Sequence, residues 1–143
     1  MTSPETVQDT RVLVDTNVLS YIFKDDTRAK FFRPFLENLT LAVSFMTVAE
    51  LYYGAYKAKW QAGQIEKLEN HLKNYVILPY DVDLAREWAK VRVEHTNRGH
   101  DISKSDAWIA ATALRHGCPL ATNNGRDFEG TSGLRVICPT TLG

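Results

Sequence analysis

Five short, predominantly apolar runs, separated by stretches with helical spacing, leave this chain few ways to fold. They are residues 12–14 (VLV), 39–46 (LTLAVSFM), 75–80 (YVILPY), 119–122 (PLAT) and 134–138 (LRVIC). Helix-patterned segments fall between them at 18–23, 28–38 with Pro34 inside, 51–56, 59–74, 83–98 and 107–115. Strands buried on both faces read as near-continuous apolar runs, and strands alternating with helices build a parallel sheet covered on both sides. The expectation is an α/β fold with a central parallel sheet of about five strands and helices on both faces. In such a sheet the strands end at a common carboxyl edge, and ligands bind in the crevice there.

Other features bound the class. At 143 residues without linker, repeat or low-complexity tract, the chain reads as one domain over 11–143. The polar start MTSPETVQDT has no apolar signal segment, so residues 1–10 are expected to be frayed. Seventeen basic residues balance seventeen acidic ones, so the net charge announces neither a nucleic-acid nor a membrane partner. Nothing is long and apolar enough to span a bilayer. Cys118 and Cys138 are isolated in sequence, which fits buried thiols in a reducing compartment. A cytoplasmic protein is expected. Phosphate-loop, dinucleotide, serine-elbow and zinc-ligand motifs are missing, which leaves those chemistries without support.

Three acids stand at junctions of the pattern. Asp15 ends the first run in RVLVDTNVLSYIF, Glu50 follows the second in TVAE, and Asp106 opens the Ala-rich helix after ISKS. Each has a plain structural reading. An Asp before a helix accepts bonds from the orphan N–H groups of the first turn. Thr47-Val48-Ala49-Glu50 has the form of a capping box, Ser103-Lys104-Ser105-Asp106 resembles one, and acids there suit the helix dipole. Yet Asp15 and Glu50 share the carboxyl edge by strand topology. Asp106 joins them only if its helix starts near that edge, opposite to what a simple right-handed crossover is expected to give, and topology alone leaves its placement open. Three carboxylates brought together repel and do not all stay ionised unpaired. A divalent cation resolves the conflict, since a small cluster of hard oxygen ligands suits Mg²⁺ or Mn²⁺. None of the four histidines, His71, His95, His100 and His116, falls where it would serve as a base, so activation of a nucleophile falls to metal.

Four motifs in one order, DTNVL, FMTVAELYYG, SDAWIAATAL and LATNNGRDF, extend these observations over residues 11–138. On them the sequence resembles the PIN-domain ribonucleases, and among those the VapC toxins of bacterial toxin–antitoxin pairs. The resemblance implies a PIN-like α/β sandwich and Mg²⁺-dependent hydrolysis of single-stranded or loop RNA, in tRNA or rRNA, by metal-activated water, with Mn²⁺ as a substitute. It also implies a VapB-like antitoxin as inhibitor, and a homodimer that can join a larger toxin–antitoxin assembly. Matched position by position, Asp15, Glu50 and Asp106 are the acidic, metal-holding trio. The family often places a fourth acid in a later turn, where this chain offers Asn124 and Asp127 around Gly125-Arg126. Asp127 is the expected catalytic acid and Asn124 a neutral neighbour that orients a water or ligand. Thr16, Asn17 and Thr122 are expected to line the site as donors, with Arg126 beside it for substrate.

Tyr52, Tyr53, Tyr56 and Trp60 form an aromatic stripe at helical spacing, and by resemblance that surface serves a homodimer and an antitoxin. Two other classes compete with the ribonuclease. A silent PIN-like module that binds RNA or protein would not need an intact acidic trio. A metal-dependent phosphatase or DNA-acting 5′ nuclease would need substrate-guiding elements for which the chain is short.

Overall fold

The computed structural model of the chain describes residues 11–139; the segment expected to fray, 1–10, lies outside the described residues. Five strands form one sheet: β1 (Arg11–Val14), β2 (Thr40–Ser44), β3 (Val76–Leu78), β4 (Leu120–Ala121) and β5 (Val136–Ile137). Their order is β3-β2-β1-β4-β5, and every neighbouring pair is parallel. The helices are α1 (Thr16–Phe23), α2 (Ala29–Leu36), α3 (Phe45–Lys57), α4 (Ala62–Leu72), α5 (Val82–Asn97) and α6 (Lys104–His116). Among the described residues no helix is long and apolar enough to cross a membrane.

β1 sets the layering, because successive side chains of a strand point to opposite faces. Val12 and Val14 pack with Val18 of α1, Phe32 of α2 and Leu68 of α4, whereas Leu13 packs with Val91 of α5, Ile109 of α6 and Leu120. Val12, Leu13 and Val14 are 0–2% exposed, and burying each stabilises the fold by roughly 1.5–3 kcal/mol. α1, α2 and α4 thus cover one face, and α5 and α6 the other.

The chain steps outward from β1 to β2 to β3, then crosses back to place β4 on the other side of β1. This reversal makes the carboxyl ends of β1 and β4 a topological switch point, where neighbouring connections leave to opposite faces and open a crevice. The position of Asp106 follows from the same geometry and corrects the expectation that a simple crossover starts its helix at the other edge. α6 feeds β4 through the left-handed Gly117 (φ 68°). A helix that delivers the chain to the start of a parallel strand must begin at the opposite, carboxyl edge. Ser105 accordingly lies 3.8 Å from Met46 at the start of α3.

Two boundaries differ from the sequence expectation. The run 39–46 does not stay a strand, because β2 stops at Ser44 and Phe45 and Met46 begin α3. Ser44 Oγ accepts the Thr47 N–H at 3.0 Å and is the helix cap, so Thr47 is the third residue of α3 and Glu50 lies in its second turn. The capping box read at Thr47–Glu50 is therefore not formed. The apolar run hides the junction, since a buried strand and a buried helix start look alike without periodicity. The last two strands are also shorter than their apolar runs, and residues 123–133 contain a 3₁₀ turn (Gly125–Phe128) fastened by Phe128, which is 2% exposed.

Candidate active site

Asp15 follows β1 directly and caps α1. Its Oδ1 accepts the Thr16 N–H at 2.8 Å, and its Oδ2 accepts the Thr122 hydroxyl at 2.6 Å across the switch point. Thr122, fully buried just after β4, also accepts the Asn124 N–H at 3.0 Å. Asp15 is only 5% exposed. Burial pushes its carboxyl above the ordinary value of 3.8; the Thr122 hydroxyl and Thr16 amide oppose this, while the charges of Glu50 and Asp127 add to it.

Glu50 is held from α1. The Thr16 hydroxyl lies 2.7 Å from Glu50 Oε1 and 3.0 Å from Thr47 Oγ1. One hydroxyl has one proton to donate. Thr16 gives it to the carboxylate and receives the Thr47 proton, and Ser44 Oγ stands 3.3 Å behind Thr47. A chain of three hydroxyls from the end of β2 thus orients Glu50.

Asp106 is the third residue of α6, and its N–H donates to Ser103 Oγ at 3.1 Å. Its carboxyl is pushed from 3.8 up to about 6, first by burial and then by the charge of Asp15; the Ser103 hydroxyl offsets part, and Asp127 and Glu50 add more. Asp127 sits in the 3₁₀ turn and reaches both Asp15 and Asp106 electrostatically. Four acids from four segments thus act in one crevice, where the charges of Glu50 and Asp127 add to the raised proton affinity of Asp15 and Asp106. Among the described residues, no ion pair engages any of them.

The donor set is all carboxylate oxygen, the chemistry of a hard divalent cation. Among the described residues, however, no three His, Cys, Asp or Glu side chains are gathered closely enough to hold a metal directly. The two observations are compatible. Mg²⁺ is commonly held through one or two carboxylates, with water and phosphate oxygens completing its shell. Each Asp15 oxygen, bonded once, retains lone pairs for such a ligand.

The remaining expected residues divide. Thr16 and Thr122 are drawn in as hydrogen-bond donors to carboxylates. Asn124 contributes its backbone N–H, while its side chain is exposed. Asn17 is exposed on the first turn of α1. Arg126 lines a separate cavity of about 520 Å³ with Phe35, Glu129 and Cys138, and none of the four acids lines it.

Two contributors escaped the sequence reading. Thr47 is wholly buried and links Ser44 to Thr16; its signal was a Ser three residues upstream, the spacing of a cap to the third helical residue. His95, 1% exposed on α5, has Nε2 2.7 Å from Thr131 Oγ1 and Nδ1 3.2 Å from the His100 carbonyl. The carbonyl takes the Nδ1 proton, so Nε2 accepts from Thr131. Glu94, next to His95 in the chain, accepts the Ser132 N–H, and Arg98 packs over Gly130. α5 thereby grips the loop that leaves the Asp127 turn, a long-range pairing with no local signal.

Comparison with known proteins identifies the family. The PIN domain family model matches residues 12–134. Ribonuclease VapC2 of Haemophilus influenzae is 35% identical over 127 residues, covering 88% of this chain and 96% of that protein. The tRNA(fMet)-specific endonuclease VapC of Shigella flexneri is 29% identical over 126 residues, again 88% and 96%. Among solved structures, VapBC-1 from nontypeable Haemophilus influenzae superposes with a TM-score of 0.80 at 26% identity, covering 91% of this chain and 98% of that one. With its acids gathered at the switch point of a β3-β2-β1-β4-β5 sheet, this chain belongs to the PIN-domain family, among the VapC ribonucleases.

Proposed function

We propose that the chain is the ribonuclease toxin of a VapBC-type pair, hydrolysing phosphodiester bonds in tRNA or rRNA loops with Mg²⁺, or Mn²⁺ in its place. Asp15, Glu50 and Asp106 would hold the cation, with Asp127 as the fourth acid of the site. One observation carries the reading: Asp106, with its carboxyl raised to about 6 beside a buried Asp15, is a concentration of negative charge without a cationic side chain paired to it among the described residues. Such an arrangement destabilises the fold unless a cation relieves it.

When bound, a cation of this class supplies Lewis acidity and neutralises charge on phosphate oxygens. The protein supplies position. Thr122 and the Thr16 amide fix both oxygens of Asp15, and the Ser44–Thr47–Thr16 chain fixes Glu50. The Asp106 carboxyl exchanges its proton near neutral pH, so proton and cation compete for it and the site opens to the cation as pH rises.

A VapB-like antitoxin and a second copy of the chain are the proposed protein partners. The solved relative named above is a VapBC structure. On α3, Tyr53 and Tyr56 are each 66% exposed, whereas Tyr52 is tied to Glu69 at 2.7 Å; Trp60, just beyond the helix, packs on Phe23. The first two are the side chains offered to a partner. We place the protein in the cytoplasm with its RNA.

Thermal melting tests the metal site. Mg²⁺ or Mn²⁺ raises the Tm of the wild type but not of Asp15→Asn or Asp106→Asn, because a ligand that binds only the folded state stabilises it. RNA incubated with the wild type yields 5′-phosphate and 3′-hydroxyl ends. Ends bearing a 2′,3′-cyclic phosphate would exclude hydrolysis by water, and intact RNA with no cation-induced shift would leave a silent binding module.

A further inference from the structure

A groove of about 230 Å³ shares Thr16 and Glu50 with the acid crevice and runs between α1 and α3. On its α1 wall Thr16, Ser20 and Lys24 stand at successive helical turns, about 6 and 12 Å beyond Thr16, with Phe23 beside them, and Leu51 and Leu68 add apolar lining. Its α3 wall begins at Glu50 and continues through Gly54 to Ala58, and Trp60 closes the far end. Gly54 is the gap in that wall, since a Cβ there would meet no atom within 4 Å. Lys24 is exposed and, among the described residues, joins no ion pair; the acids that follow it are engaged elsewhere, Asp25 with Arg33 and Asp26 with Arg28.

We propose that this groove is the track for a single strand of RNA on one side of the scissile phosphate, with Ser20 and Lys24 contacting successive backbone phosphates and Trp60 meeting a base at the exit. The inference rests on the ribonuclease reading and deepens it. Three features favour this occupant. The groove is continuous with the crevice, sharing Thr16 and Glu50 with it. Its charge changes from acidic, where a cation would bridge to phosphate, to basic at Lys24, where phosphate is met directly. An aromatic ring at the far end suits unstacked bases regardless of sequence.

Binding of a fluorescein-labelled, mixed-sequence phosphorothioate RNA, followed by anisotropy, tests the track without requiring cleavage. Gly54→Leu fills the gap with a good helix former on an exposed turn, so the fold is kept. It is expected to raise Kd at least about tenfold, the loss of one good base or phosphate contact. Lys24→Gln is expected to raise Kd several-fold and to lower the slope of log K against log salt by about 0.7, one phosphate contact to a single strand. In both variants the cation-induced rise in Tm stays at the wild-type value, because neither residue belongs to the acid site. Wild-type Kd and salt slope in both variants overturn the proposal, and so does retention of RNA binding by Gly54→Leu alongside loss of a co-expressed antitoxin, which would make the groove a protein site. A wild type whose Tm ignores Mg²⁺ and Mn²⁺ counts against the metal-site reading alone and leaves the Kd comparison to decide the track.

Discussion

Asp106→Asn should stabilise the folded protein at neutral and alkaline pH in the absence of divalent cations, although it deletes a residue of the proposed active site. The wild-type carboxyl titrates at about 6 when folded against 3.8 when unfolded. Below about pH 4 both states hold the proton and the group is neutral in the balance. As pH rises from there through 6, the unfolded chain releases its proton first, so wild-type stability falls, and above 6 the full penalty is present. Taken at face value the difference is about 3 kcal/mol. The side chain is only half-buried, and solvent screening trims this to about 2 kcal/mol. Against it stands the favourable interaction of a third-position acid with the helix N-terminus, about 0.5 kcal/mol, which Asn forfeits. The Ser103 cap survives, because Asp106 contributes its backbone N–H to that bond. A net gain of about 1.5 kcal/mol corresponds to roughly 4–8 °C in Tm for a domain of this size. Melting both proteins in EDTA from pH 4 to pH 8 should show coincident Tm values at the acid end and Asp106→Asn ahead at pH 8, with Mg²⁺ narrowing or reversing the gap. A variant that melts below the wild type at pH 8, or by the same margin at every pH, refutes the charge-crowding account.

Two hydroxyls make further tests. Thr122→Val keeps the side-chain shape but removes both the donor to Asp15 and the acceptor of the Asn124 N–H; urea denaturation should show a loss of about 2–3 kcal/mol, with Thr122→Ser recovering most of it. Ser44→Ala should cost about 1–2 kcal/mol because Ser44 is the cap of α3. If the helix were capped at Thr47 instead, Thr47→Val would be the more damaging change.

The sheet was legible in the sequence because a doubly covered parallel sheet writes each strand as an apolar run. The order of the runs also put Asp15 and Glu50 at one edge. What stayed hidden were contacts between segments. The Thr16 hydroxyl on Glu50 spans 34 positions and His95 on Thr131 spans 36, and no local pattern encodes either. The start of α3 was obscured by packing, since Phe45 and Met46 are as apolar as the strand before them and only Ser44 marks the turn. Arg126 looked promising by proximity in sequence, yet the 3₁₀ turn sends residues 126 and 127 in different directions, so Asp127 couples to the acids while Arg126 lines the cavity on the β5 side.

The capping reading accounts for only part of what surrounds the acids. Asp15 does cap α1 through Oδ1, but a cap needs one oxygen and no burial, and Asp15 adds a second bond to Thr122 while sitting 5% exposed. Asp106 occupies the third position of its helix, where an acid is normally favourable, yet its proton affinity moves in the opposite direction because burial first, and then the charges of Asp15, Asp127 and Glu50, raise it. Glu50 lies beyond the first turn and caps nothing. Helix starts at a switch point supply amides and hydroxyls that hold carboxylates in fixed directions, and crowding those carboxylates costs stability that only a counter-charge returns. Replacing the acids one at a time by their amides in EDTA should therefore separate the two uses: relief of repulsion raises Tm at Asp106, whereas at Asp15 the loss of the Thr122 acceptor offsets the relief and leaves Tm near or below the wild type.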